Sequence, residues 1–473
     1  MALKKSLWCF AAVLMASLAV SPPAPAAPAS APLASAAPLV PKLKYQQRVL
    51  PNGLTVLTVE NHATPTAAVY VWYKVGGKND PPGRSGFAHL FEHMMFKSTR
   101  NQPSEHFDRL TEDVGGENNA YTADDVTVYH ETIPSNYLES LLWAEADRMR
   151  NLQVNETNFT SERSVVKEEL RQRILASPYG MLSLYVTAHS FTKHPYKREP
   201  IGSIHDLDAA NLTDVRAFYS TFYRPDNAVL IVVGDFEQAP LNGWIDNYFG
   251  AVPKPKTVIP RVTIKEPLRM GAKRYRETAP NVPLPVVVYT YLIPNASDKD
   301  APALQIADAI LSGGESSRLY KSLVYTQQIA SEINASADLR GDAGLFEIDA
   351  TTASGKTMPG VEKSLRAELS KFVASPVTAQ ELTKAKNQVI TGALHSRETN
   401  DGTAQALGSA AVLLGNPEAI NTEIQQLQAV TAKDVQRVAR QYLTDRNLVV
   451  IYYSATPPAK KTAVPAAKKG GVK

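Results

Sequence analysis

An internal repeat at a constant offset of 220 residues constrains this chain more than any other feature. Asp214-Val215, Phe222 and Asn227 lead into the apolar run Val229-Leu230-Ile231-Val232-Val233. At the same offset Asp434-Val435, Tyr442 and Asn447 lead into Val449-Val450-Ile451-Tyr452-Tyr453, and residues 67–73 map onto residues 287–293. Solenoid repeats are far shorter, so a period of this length signals two duplicated domains. The expected boundaries are 45–250 and 267–455, joined by a linker over 251–266 where Pro253, Pro255 and Pro260 interrupt regular structure. Strands and helices interleave, and Asn-Gly and Gly-Gly turns favour antiparallel pairs. The expected fold class is α+β rather than a doubly wound sheet.

Only the first copy carries His89-Leu90-Phe91-Glu92-His93. On a helix, positions i, i+3 and i+4 fall within an arc of roughly 100°, so both imidazoles reach one ion while Glu92 stands beside it. Phe87, Leu90, Phe91, Met94 and Met95 supply an apolar flank that buries the helix. His-x-x-Glu-His reverses the commoner zinc protease motif. A catalytic zinc site takes three protein ligands, so a third must lie elsewhere. The segment Ser161 to Leu170, preceded by the capping run Asn155-Glu156-Thr157-Asn158, reads as a helix with Glu162 and Glu169 on one face and Glu168 turned away. On its residues alone it reads first as a solvated helix whose acids pair with Arg163, Lys167, Arg171 and Arg173.

From Leu50 to about Gly234 the chain resembles the active half of the pitrilysin and mitochondrial processing peptidase family of zinc peptidases. The resemblance rests on Leu50-Pro51-Asn52-Gly53-Leu54, on Gly86 through Thr99 around the histidine motif, and on Gly115-Gly116-Glu117-Asn118-Asn119-Ala120-Tyr121-Thr122. Glu162-Arg163, His194-Pro195-Tyr196 and Tyr223-Arg224-Pro225-Asp226-Asn227 complete it in order. The resemblance implies one Zn2+ held by His89, His93 and Glu169. Glu92 and Glu162 become the expected catalytic carboxylates: Glu92 as general base, Glu162 beside the metal, orienting a ligand or adding negative charge. Asn119, Ala120 and Tyr121 match an edge strand to which substrate adds by main-chain hydrogen bonds. The halves are expected to enclose a chamber, and the function is expected to be zinc-dependent endopeptidase action on extended peptides. The alternative is a non-catalytic peptide-binding or scaffold subunit.

The second half departs from the family. The family places an Arg and a Tyr after a Ser-Arg-Leu stretch, as donors to the substrate carbonyl. Here Ser317-Arg318-Leu319 is present, but the two positions fall on Val324 and Ser331. The expected partner is therefore a homologous subunit supplying the Arg/Tyr pair, in a heterodimer. A homodimer in which Arg318, Tyr320 or Tyr325 substitutes is the alternative.

Lys4 and Lys5, an apolar stretch from Leu7 to Val20, and small-x-small sites after it have the layout of a secretory signal peptide over 1–26. A periplasmic or secreted protein, without a stable membrane span after cleavage, is expected. A Pro/Ala-rich tether over 27–44 and a disordered Lys/Ala/Pro tail over 456–473 flank the folded region. Cys9, the one cysteine, lies inside the leader, so no disulfide framework is available. A net charge of +4 with 20% charged residues gives no nucleic-acid footprint. Ser312-Gly313-Gly314 lacks the Gly-Lys-Ser/Thr of a phosphate loop.

Overall fold

A computed structural model describes residues 40–457; the leader, most of the tether and the tail from 458 lie outside the described residues. Among the described residues eleven strands form two sheets. The first contains β1 (Gln46–Val49), β2 (Thr55–Glu60), β3 (Thr66–Tyr73), β4 (Glu117–Thr122), β5 (Thr127–Pro134) and β6 (Ala228–Gly234), in the order β1-β2-β6-β3-β5-β4. The second contains β7 (Lys273–Ala279), β8 (Val286–Ile293), β9 (Ala330–Asp338), β10 (Gly344–Thr352) and β11 (Leu448–Ala455), in the order β7-β11-β8-β10-β9. Without β1 the two orders superpose strand for strand. In each sheet only one pair is parallel, β2 with β6 and β7 with β11, and every other neighbour is antiparallel. The fold is α+β with two homologous halves, and β3 and β8 stand 220 residues apart at both ends, as the repeat requires.

The central strands are continuous apolar runs because both faces are covered. In β3, Val69, Val71 and Tyr73 enter the core shared with helices Phe87–Met94, Leu138–Asn151 and Leu212–Phe222, while Ala68, Tyr70 and Trp72 face the opposite way. What covers that opposite face comes from the other half of the chain. Ala404, Leu407 and Ala410 of helix Asn400–Val412 pack on the outer face of the first sheet. Val186 of helix Gly180–Ser190, with Phe191 and Tyr196, packs on Val288, Val449, Ile451 and Tyr453 of the second. These two helices begin 220 residues apart, so equivalent elements of the repeat are exchanged between the halves.

The turn between β4 and β5 meets its counterpart between β9 and β10. Arg340 pairs with Asp124 at 2.7 Å, the Gly341 N–H donates to Asp125 at 2.9 Å, and Lys78 pairs with Asp342 at 2.8 Å. The irregular stretch expected over 251–266 runs on to residue 272 and is anchored along its length. Glu266 accepts the N–H groups of Thr192, Lys193 and His194, and the half-buried Arg269 guanidinium donates to the carbonyls of Ser190, Thr290 and Asn447. Residue 43, within the expected tether, is also held: its N–H donates to Asn421 Oδ1 at 2.8 Å.

Candidate metal centre

Helix Phe87–Met94 carries the histidine motif, and its apolar flank is buried as its spacing predicts. Gly86, at φ 96°, opens the helix and offers no side-chain cap. Asp80 supplies one instead, accepting the N–H of Gly86 at 2.6 Å and of Ala88 at 2.9 Å. Burial pushes the Asp80 carboxyl up to about 7 despite those donors. Gly202 (φ 78°) lies against the same turn, where a Cβ would meet Ser85 O at 2.4 Å. Beneath the helix, Tyr129 donates to the Phe91 carbonyl at 3.0 Å, and the buried Arg148, paired with Glu131 and Glu145, stacks on the Tyr129 and Phe107 rings. The helix is held at its start and along its buried face.

Helix Glu156–Leu170 is capped by Asn155, which accepts the Asn158 N–H, and continues through a π-helical turn, Arg171–Leu175. It brings Glu169 to the two histidines. Glu169 Oε2 stands 3.4 Å from His89 Nε2 and 3.3 Å from His93 Nε2, and the three donor atoms lie within 4.8 Å of one another. Donors about 2.0–2.1 Å from a tetrahedral zinc stand about 3.3–3.4 Å apart, which the two carboxylate–imidazole separations match, and the donor set of two imidazoles and one carboxylate suits that ion. Burial and the neighbouring His93 push His89 down to about 4, which keeps its imidazole neutral and able to coordinate. Burial opposes the charge on Glu169, but the Arg173 hydrogen bond and both histidines hold its carboxyl below the usual value. Glu168 is exposed and accepts from Arg171 and Gln172, away from the cluster.

Glu92 accepts a hydrogen bond from the Thr122 hydroxyl at 2.6 Å. Burial raises its carboxyl above the ordinary value, opposed by Thr122 and His93 and reinforced by Glu169. Glu162 does not join the three donors. It is buried, its Oε1 pairs with Lys97 at 2.9 Å and accepts from Ser161, and its Oε2 lies 3.8 Å from Nδ1 of His93. It therefore lies beside the His93 ring on its Nδ1 side, not among the three donor atoms.

Asn119, Ala120 and Tyr121 lie on β4, an edge strand paired with β5 alone. Thr122 turns to the side of Glu92, whereas Tyr121 packs with Trp72 on the face covered by helix Asn400–Val412 and accepts from Gln405 at 2.9 Å. The Ala120 N–H donates to Asn119 Oδ1 at 2.8 Å. In the second half, Val324 sits in a π-helical turn, Tyr320–Thr326, against the apolar core, and Ser331 donates to the Thr351 carbonyl at 3.4 Å. Arg318 is paired with Glu381 through two hydrogen bonds of 2.6 and 2.9 Å, from Nε and Nη2.

Thr122, Lys97 and Asp80 are partners of the site that the sequence did not single out, although Thr122 closes the edge-strand motif; the pairing of Arg173 with an acid of this helix is expected from the sequence and is found at Glu169.

The family description "Insulinase (Peptidase family M16)" matches residues 55–202, and "Peptidase M16 inactive domain" matches residues 209–389. The zinc protease PqqE of Helicobacter pylori is 30% identical over 411 residues, covering 86% of this chain and 92% of that protein. A probable mitochondrial-processing peptidase subunit beta of Arabidopsis thaliana is 25% identical over 410 residues, covering 85% of this chain and 76% of its own length. The crystal structure of a protease from Helicobacter pylori superposes with a TM-score of 0.84 at 30% identity, covering 87% of this chain and 99% of the other.

Proposed function

The chain belongs to peptidase family M16, and from that premise we propose that it is a zinc-dependent endopeptidase acting on extended peptides or unfolded segments within an enclosed chamber. The observation that carries the reading is the separation of Glu169 Oε2 from both Nε2 atoms, 3.4 and 3.3 Å, with Glu92 on the same helical face as the histidines. His89, His93 and Glu169 would hold zinc. Bound there, zinc supplies Lewis acidity, polarising a peptide carbonyl and acidifying water.

The remaining chemistry belongs to side chains and backbone of this chain. Glu92, its Oε2 aligned by Thr122 and its proton affinity raised by burial, takes a proton from the attacking water and delivers it to the leaving amine. The open edge of β4 holds the peptide main chain as an added strand, with the Asn119 side chain giving up the Ala120 N–H. Glu162 orients His93 from its Nδ1 edge.

The protein works in the periplasm or is secreted, a reading supported by its leader-like N-terminus. Among the described residues no helix is long and apolar enough to cross a membrane. It pairs with a homologous subunit that supplies the missing Arg and Tyr donors. A second reading, a non-catalytic peptide-binding or scaffold subunit, is favoured by Val324 and Ser331 at those two positions. Profiling a peptide library with the purified protein, alone and with its M16 relative from the same genome, separates the two. The peptidase reading expects cleavage that a chelator abolishes and zinc restores; binding without cleavage in both preparations supports the scaffold.

A further inference from the structure

We propose that Arg173 and Lys97 are clamps that fix which carboxylate oxygen each neighbouring glutamate presents to the metal centre; the proposal rests on the zinc reading above. Arg173 Nη1 donates to Glu169 Oε1 at 2.6 Å, and Lys97 Nζ forms an ion pair with Glu162 Oε1 at 2.9 Å. In each case the cation takes one oxygen and leaves the other turned inward. Glu169 Oε2 faces both Nε2 atoms, and Glu162 Oε2 faces Nδ1 of His93.

The chemical consequence differs at the two glutamates. A free carboxylate can rotate and offer both oxygens to a cation, filling the position a catalytic site must leave open. Arg173, at the centre of the π-helical turn Arg171–Leu175, withholds Oε1 of Glu169 from that role. Such turns recur at functional sites. Lys97, in the turn after the motif helix, reaches across to the second helix and holds Glu162 against His93, which orients the ring and sharpens its basicity. Arg173 is 72% exposed, and an exposed ion pair adds little to stability. Its loss therefore leaves the fold intact and exposes the effect on the metal.

The test uses the full chain, stripped of metal, as wild type, Arg173→Met, Arg173→Lys, Lys97→Met and Lys97→Arg. Zinc affinity is read by competition with a chromophoric chelator, and folding by the thermal midpoint of the metal-free protein. Removing such outer partners typically costs about 10–100-fold in metal affinity, the loss expected for both methionine variants. Arg173→Lys and Lys97→Arg keep a cation and are expected close to wild type, with the metal-free midpoint of Arg173→Met unchanged. Wild-type affinity in Arg173→Met overturns the proposal even if Lys97→Met fails to fold. Equal losses in the methionine and conservative variants also overturn it, by assigning the effect to packing. A wild-type chain that binds no zinc overturns the zinc reading itself, a result distinguishable from the failure of the clamps alone.

Discussion

A Cβ on Gly408 would stand 2.2 Å from Nε1 and 2.3 Å from Cε2 of Trp72, so helix Asn400–Val412 lies on the first sheet only because position 408 carries no side chain. Trp72 is fully buried in the first half and Gly408 belongs to the second, so the contact joins the two halves. Gly408→Ala gains about 1 kcal/mol of helix propensity but forces a buried indole aside, an overpacking cost of about 1–3 kcal/mol. The net expectation is a lower melting temperature. Because each half covers the other's sheet, calorimetry should show one transition moving as a unit. Two transitions, with one unmoved, would contradict the exchanged-helix account.

The junction of the two hairpin turns should be acid-sensitive. The His194 ring, its Nε2 3.4 Å away, and then Lys78 hold the Asp342 carboxyl down to about 2, from 3.8. A depressed carboxylate stabilises the fold above its unfolded value and loses that contribution as pH falls through its folded value. The window is therefore about pH 4 down to about 2. Asp342 is more than a third exposed, so screening limits the effect to about 1 kcal/mol. Urea midpoints of wild type and Asp342→Asn should differ at pH 6 and converge towards pH 2.

Glu169→Gln should lower zinc content, because it replaces an anionic donor whose Oε2 faces both imidazoles. Glu168→Gln, on an exposed residue bonded to Arg171 and Gln172, should leave zinc content unchanged. Metal analysis of the two purified variants checks the helical register. The reverse pattern would shift the ligand by one residue.

The repeat was readable because helix Leu212–Phe222, helix Ala432–Tyr442 and the strands that follow them keep both apolar pattern and spacing. The exchange of helices Gly180–Ser190 and Asn400–Val412 was not, since an apolar face states that it is buried but not against which sheet. At the site, His89, Glu92 and His93 declared themselves through spacing on a single helix. Glu169, seventy-six residues beyond His93, came only through family resemblance. Asp80 and Lys97 act on atoms that only folding brings near, which leaves no periodic trace, whereas Arg173 follows Glu169 by four residues, a spacing the sequence shows.

Pairing with a relative should raise activity sharply. Val324 and Ser331 cannot donate as a guanidinium and a phenol do, and losing one such donor typically costs about 10²–10³ in rate. Peptide cleavage by the chain alone, compared with the chain co-expressed with an M16 relative carrying that Arg/Tyr pair, measures this. Full activity alone, with no gain from any relative, would remove the case for a heterodimer.

Zinc content and peptide cleavage, measured on the same samples of wild type and Glu92→Gln in the active assembly, test the central claim most directly. The amide introduced by Glu92→Gln would keep the hydrogen bond with Thr122 in reach but could not accept the water's proton. The account predicts one zinc per chain in both proteins and cleavage only in the wild type. Near wild-type cleavage by Glu92→Gln, or cleavage indifferent to the removal of zinc, would contradict it.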